Sequence, residues 1–197
     1  MTNKLDLTTK KTWADISVGQ WQEMSLVQSE TEIGKFINLI SIALDCDVED
    51  IRNLKISDWQ KMKADYEFLN SEPVADFQNF IDFDGVELGL EPDLDLITTG
   101  VFIDAEQFRQ NSIENLHRTL ALIYRPVKEK RSETQYSIEP HTASGFERRA
   151  EFFRDRVSIE IVYGAAIFFF ILCSQLSIDM ADFLKEDLMQ TMTDLGI

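Results

Sequence analysis

The sequence predicts an α+β chain, predominantly α-helical, with a small antiparallel β-hairpin insertion between two helical parts. Three observations predict it. Ser-x-x-Gln/Glu signatures of helix N-termini recur in the first sixty residues. Apolar residues there, and again after Ser112, repeat with a period near 3.6. Between the two helical stretches Asp84-Gly85, a two-residue hairpin signal, separates residues 77–83 from an alternating run at 86–90. At 197 residues, with 44% apolar and 11% aromatic content, the chain can bury a proper core, which excludes disorder over most of its length.

The elements follow in order. Residues 11–16 read as a short strand. Ser17/Gln20, Ser29/Glu32 and Ser57/Gln60 each place a hydroxyl at an N-cap and an amide or carboxylate three residues later, so each predicts a helix start. Ile16 and Trp21 suit a hydrophobic staple around the first start. Ile33, Phe36, Ile37, Ile40 and Leu44 form the stripe of the second helix, and Trp59, Met62, Tyr66 and Leu69 that of the third. A helical turn is expected over 48–54, between those two helices.

Ser71-Glu72-Pro73 closes the helical part and the hairpin follows, with Val86, Leu88 and Leu90 alternating against Glu87 and Gly89. Residues 101–104 read as a further strand or extended arm. From Ser112, Ile113, Leu116, Leu120 and Ile123 line one helix face, stopped by Pro126, because proline disfavours α conformation in the residue before it. Residues 128–134 read as an exposed loop, and a helix carrying Phe146, Ala150 and Phe153 follows. The uninterrupted apolar run 161–173 is about 20 Å long as helix, too short for a bilayer, so it is expected to be a central core helix. An acidic terminal helix with stripe Met180, Phe183, Leu184 and Leu188 ends the chain. The expected organisation is therefore a helical part (1–72), an acidic hairpin or extended insertion (73–106) and a second helical part (107–197).

Charge is distributed unevenly. Residues 65–106 hold twelve Asp and Glu and no Lys or Arg, supplying −12 of a net −16, whereas 107–156 hold ten basic residues against seven acidic ones. Such polarisation is suited to charged partners or to other copies of the chain. The expected partner-binding residues are Asp82, Asp84, Glu87, Asp93 and Asp95 on the acidic side, with Arg118 and Arg125 on the basic side. Ordinary structural uses compete for the two arginines: Glu114 lies four residues before Arg118, and Arg125 sits at a helix C-terminus where a cation complements the dipole.

Chemistry is otherwise sparse, and no enzymatic activity, metal or cofactor is expected. An EF-hand register with Gly85 at its sixth position would put Phe80 at the first, where an oxygen ligand is needed. Gly-rich phosphate loops, Gly-x-Ser-x-Gly elbows and Cys/His metal spacing are missing from the sequence. His117, with Glu114 or Asp104 to orient it, is the one candidate base, but a lone helical histidine is more often structural. Two isolated cysteines suit a reducing compartment, and the polar N-terminus has no secretory h-region.

The segment Asn-Leu-His-Arg-Thr-Leu-Ala-Leu-Ile-Tyr-Arg-Pro at 115–126, preceded by Thr-Gly-Val-Phe-Ile-Asp at 99–104 and followed by Tyr-Ser-Ile-Glu at 136–139, resembles tail assembly chaperones of tailed bacteriophages. The opening Asp-Ile-Ser-Val-Gly-Gln-Trp at 15–21 and Tyr-Glu-Phe-Leu at 66–69 are similar to the same group, so the likeness spans most of 13–176. The resemblance implies a small, largely helical virion-morphogenesis protein of the host cytoplasm, without enzymatic activity, that holds the tape-measure protein soluble. Its apolar grooves for that partner are expected beside the helices at 59–69 and 113–124. Two other roles suit the charge pattern: a virion component of the tail or neck forming head-to-tail oligomers, and an acidic DNA mimic. No membrane and no direct nucleic-acid contact are expected.

Overall fold

The computed structural model describes residues 10–91, 97–171 and 174–175. The first described element is a 3-10 turn, Trp13–Asp15, where a strand was expected, because the Thr12 N–H and hydroxyl both donate to Asp15 Oδ2 while the Asp15 N–H donates to the Thr12 carbonyl, which ties the backbone into a turn. Helices α1 (Val18–Ser25), α2 (Glu32–Leu44), α3 (Val48–Arg52) and α4 (Ile56–Asp65) follow, then a second 3-10 turn, Glu67–Asn70. The first capping box forms as read: Ser17 Oγ accepts from the Gln20 N–H and Gln20 Oε1 from the Ser17 N–H, both at 3.1 Å. Ile16 beside it is fully buried.

The other two boxes do not form. The α2 cap is Thr31, whose hydroxyl accepts from the Gly34 N–H, while Ser29 instead bonds the backbone of Thr31. In α4 the cap position is Lys55 and Ser57 lies inside the first turn, where Asp58 complements the dipole. Packing sets the phase of both helices. The buried face of α2 is Phe36, Leu39, Ile40 and Ala43, which leaves Ile33 66% exposed. Met62, Tyr66 and Leu69 are buried as the third stripe predicts, with Trp59 half-buried.

Strands β1 (Phe80–Phe83) and β2 (Val86–Leu90) pair around Asp84-Gly85. Asp84 and Gly85 both take positive φ, 51° and 83°, which is what a type I′ turn requires. Residues 101–104 are not a strand: α5 spans Thr99–Arg109, capped by Thr98, and buries Val101, Ala105 and Phe108 at helical spacing. Helix α6 (Leu116–Ile123) runs directly into β3 (Tyr124–Ser132), which pairs with β4 (Gln135–Ile138). The segment 128–134 is therefore strand and turn, not loop. Its charged residues are exposed on both faces, so no apolar alternation marked it.

The four strands form one antiparallel sheet in the order β1-β2-β3-β4. Leu88 pairs with Ile81 and Pro126 on the face covered by α7 (Phe146–Arg156), where the rings of Phe83 and Phe152 lie 4.7 Å apart and those of Tyr124 and Phe153 5.5 Å apart. Gly89 and Arg125 pair on the opposite face. Two irregularities in the β3–β4 register let the hairpin curl across β2, so that Tyr136 donates its hydroxyl to the Leu90 carbonyl at 2.7 Å and its ring lies 4.7 Å from that of Phe80, tilted by 59°. Only glycine leaves room beneath it. A Cβ at Gly89 would lie 2.9 Å from the Tyr136 ring and 3.1 Å from Ile138 and Val127. Gly89→Val should cost about 1–3 kcal/mol by overpacking, read as a fall in the urea midpoint, whereas Gly85→Ala meets nothing within 4 Å and suffers only from its φ.

A short 3-10 turn, Ile159–Ile161, leads into α8 over 163–171. Val162, Ala165, Ala166 and Phe169 are buried, whereas Phe168 is 50% and Ile171 65% exposed, so this helix lies against the core by one face and is not surrounded by it. No helix among the described residues is long and apolar enough to cross a membrane. One continuous core runs through all three expected segments, from Ile40 and Tyr66 through Ile81 and Leu88 to Leu120, Phe153 and Ile159. The hairpin is thus built into that core by β2–β3 pairing and by the Gln78 N–H bond to the Ile161 carbonyl, 2.9 Å. The expected terminal helix, with Met180, Phe183, Leu184 and Leu188, lies outside the described residues, as do Cys173, Asp93 and Asp95.

Candidate partner-binding surfaces

The acidic and basic tracts meet each other within the chain. Asp84, at the hairpin tip, is held by two arginines of α7, Arg156 at 2.8 Å and Arg148 at 3.1 Å. Arg148 also lies over the Phe83 ring and Arg156 over Phe152, 5.0 and 5.4 Å from the centroids, so the tip is clamped onto the helix by charge and by aromatic faces together. Glu87 pairs with Lys130 at 2.8 Å, and Lys130 in turn lies 3.5 Å from the Phe80 centroid. Asp82 accepts from the Gly85 N–H at 3.2 Å and serves the turn.

Arg125 is not at the surface. Its side chain is 8% exposed, ion-paired with Glu91, and donates to the Glu139 carbonyl at 3.0 Å. It stabilises the sheet and offers little to a partner. Arg118 pairs not with Glu114 but with Glu147 of α7, at 3.1 Å, bridging two helices. Of the seven expected contact residues, the structure thus brings Asp84 to α7 and Glu87 to β3, buries Arg125, and leaves Asp82 and Arg118 exposed or half-exposed. The long-range pairings had no signal in the sequence beyond the reversal of charge sign.

His117 does not meet Asp104. Its Nδ1 lies 3.1 Å from Gln22 Nε2 and 3.2 Å from Gln22 Oε1, and Gln22 also donates to the Glu114 carbonyl at 2.8 Å. Burial, helped by Arg154 and Arg118, pushes the His117 pKa below its ordinary value. Asp104 pairs instead with His141, 3.1 Å away. Among the described residues no group of three His, Cys, Asp or Glu is arranged to hold a metal ion.

These contacts fix an acid response. The Arg156 hydrogen bond, reinforced by Arg148, holds the Asp84 carboxyl below its ordinary pKa, so the clamp's contribution is complete above about pH 4 and is lost as pH falls through the lowered value. His117 acts at higher pH. Its folded pKa is depressed, so the unfolded chain binds the extra proton first and stability falls as pH drops below about 6.5. Urea midpoints from pH 8 to 3 should show two descending steps. Asp84→Asn should shrink the lower step, to which Asp155 beside Arg154 also contributes, and His117→Gln should remove the upper.

A cleft of about 370 Å³ opens between α1, α2 and the start of α8. It is lined by Trp21 and Tyr163, their rings 5.4 Å apart, by Met24, Leu39, Leu69 and Ile113, and by the polar Ser25, Lys35, Ser71 and Glu72. Trp13, packed edge-on against Phe68 at 5.2 Å, also lines the cleft, and its buried indole N–H has no hydrogen-bond partner among the described residues. The Tyr163 hydroxyl donates to Glu72 at 2.9 Å, and burial together with Glu72 pushes its pKa up to about 12. A second hollow of about 270 Å³ shares Lys35, Leu39, Leu69, Ser71 and Glu72 with the first and extends it to Phe36. Leu69 and Ile113 belong to the two segments expected to flank a groove. Trp13, Trp21 and Tyr163 were not singled out for it, because nothing local in the sequence brings 13, 21 and 163 together.

A helical cap on an antiparallel sheet, with a cleft lined by aromatic residues on its helical side and charged residues of its two tracts paired with each other, makes this a mostly helical α+β protein. Comparisons with models of known families, with curated proteins and with solved structures found no match to this chain.

Proposed function

We propose that the chain is a non-enzymatic assembly factor that binds another protein through the aromatic cleft, and, on the resemblance of 115–126 and 15–21, a tail assembly chaperone that keeps the tape-measure protein soluble. The observation that carries this reading is the cleft itself. Leu69 and Ile113, from the two segments the resemblance pointed to, share it with two tryptophans and a tyrosine. Aromatic side chains in a concave site are the usual anchors of helix-in-groove recognition. Internal pairing of Asp84, Glu87 and Glu91 leaves the net −16 as a long-range charge that keeps a chaperone and its apolar client dispersed.

The test is co-expression of the chain with the tape-measure protein encoded beside it. The client should move to the soluble fraction with wild-type chain and stay insoluble with Trp21→Ala. A virion component of the tail or neck is the competing reading, and mass spectrometry of purified particles separates the two. Stoichiometric presence in the particle, with no effect on client solubility, would replace the chaperone reading by the structural one.

A further inference from the structure

Helix α8 leaves an apolar face open beside the connection that leads into the β1–β2 hairpin. We propose that this face is a second docking surface, for an amphipathic helix of another protein whose apolar stripe is flanked by Lys or Arg. It goes beyond the reading of the aromatic cleft and does not rest on it.

The face is assembled from two segments. Residues 75–76 cross α8 at Gly164: the Gly164 N–H donates to the Asp76 carbonyl at 2.9 Å, and a Cβ at Gly164 would lie 2.8 Å from the Ala75 carbonyl carbon. Phe168 and Ile171 follow Gly164 by four and seven residues, so they stand one and two turns further along the same side of the helix. Val74 and Phe77 flank the crossing. All four side chains are at least 40% exposed, whereas Ala165, Ala166 and Phe169 on the inner side of α8 are buried. Apolar residues exposed singly need no explanation. Four large ones gathered around two turns of one helix make a patch on the order of a few hundred Å², the size that marks an interaction site on a soluble chain.

Charge decides the occupant. The two segments that build the face, 70–80 and 157–175, contribute Glu72, Asp76 and Glu160 and no Lys or Arg. Glu72 and Asp76 are exposed and Glu160 is half-buried, so the apolar patch has an acidic rim. Two copies of the chain meeting on this face would set those carboxylates against their own images, on molecules that each carry −16. The stretch that follows the helix, 176–197, holds five Asp and Glu against one Lys and is repelled by the rim in the same way. A foreign helix with a basic flank is attracted at the rim instead, and buries its stripe on Phe168 and Ile171.

The experiment titrates the full-length chain with a synthetic helix of about 14 residues, leucine on one face and lysine on the other, followed by fluorescence of the labelled peptide and by amide shifts of Val74, Phe77 and Ile171. Binding should saturate at one peptide per chain, with shifts at all three positions. The same peptide with glutamate for lysine, or with serine for leucine, should bind about tenfold more weakly, because one loses the rim and the other the buried stripe. Phe168→Asp/Ile171→Asp should also lose about tenfold although it adds negative charge, whereas attraction by net charge alone would make it bind more tightly. Phe168→Ser/Ile171→Ser replaces it should the aspartates alter the circular dichroism spectrum. Asp76→Asn/Glu160→Gln should weaken binding and flatten its salt dependence. Trp21→Ala should leave binding unchanged, so that failure of this assignment and failure of the cleft reading are told apart. Absence of saturable binding, undiminished binding in a folded Phe168/Ile171 variant, or loss of binding in Trp21→Ala overturns the assignment. So does displacement of the lysine peptide by a peptide of residues 176–197, or a dimer of the full-length chain that the Phe168/Ile171 substitutions dissociate.

Discussion

Arg125→Met should destabilise the chain by about 3–5 kcal/mol, because it strands the Glu91 carboxylate in a buried site. The arginine joins β3 to the end of β2 by its ion pair and to the start of the β4–α7 connection by its bond to the Glu139 carbonyl. Methionine keeps the aliphatic volume and removes both links. The double variant Arg125→Met/Glu91→Leu should recover much of the loss, since an apolar pair of similar size avoids the desolvation that the ion pair must offset. Urea denaturation of the two single variants and the double variant reads this directly. Additive losses, with no recovery in the double variant, would mean that Arg125 and Glu91 do not act as a pair.

Phe169→Asp should cost more than about 4 kcal/mol, comparable to the whole stability of an ordinary domain, and leave the protein unfolded or insoluble. Phe169 is 2% exposed on the inner face of α8, while Phe168 beside it is 50% exposed. Phe168→Asp should therefore be nearly neutral. The contrast tests the one-sided packing of this helix: equal damage from both substitutions would restore the fully enclosed core helix that the apolar run of 161–173 predicts.

What could be read from the sequence divides by range. The hairpin was legible because Asp84-Gly85 is a local requirement for two positive φ values, met by the one residue without a Cβ and one that tolerates the left-handed region. Ser17/Gln20 and the Phe146, Ala150, Phe153 stripe were legible for the same reason, each being settled within a turn or two of helix. Residues 101–104 misled because Val101-Phe-Ile has high strand propensity, whereas the Thr98 cap and the burial of Ala105 and Phe108 impose a helix. The Ser29 box failed against a competing cap two residues on, Thr31, which the composition of the segment made equally eligible.

The candidate sites were less legible. The reversal of charge between 65–106 and 107–156 was visible, but its use was not: Asp84 reaches Arg148 and Arg156 across more than sixty residues, and no period or spacing predicts that. Arg125 read as a helix-end cation because Pro126 marked the helix stop. Its burial follows from β3 beginning at Tyr124 and pairing on both sides. The cleft has the same origin, assembled from residues at 13, 21, 69, 113 and 163.

The most direct test of the proposed function is a cross-link from the cleft during assembly. A photoreactive amino acid at Ser25, an exposed position lining the cleft, and a control at Arg131, exposed on the far hairpin, can be introduced into chain co-expressed with the tape-measure protein and irradiated in the cell. The account predicts a cross-link to the tape-measure protein from Ser25 that competes with Trp21→Ala, and none from Arg131. Cross-links from Arg131 and not from Ser25, or products from Ser25 that contain only further copies of this chain, would contradict it.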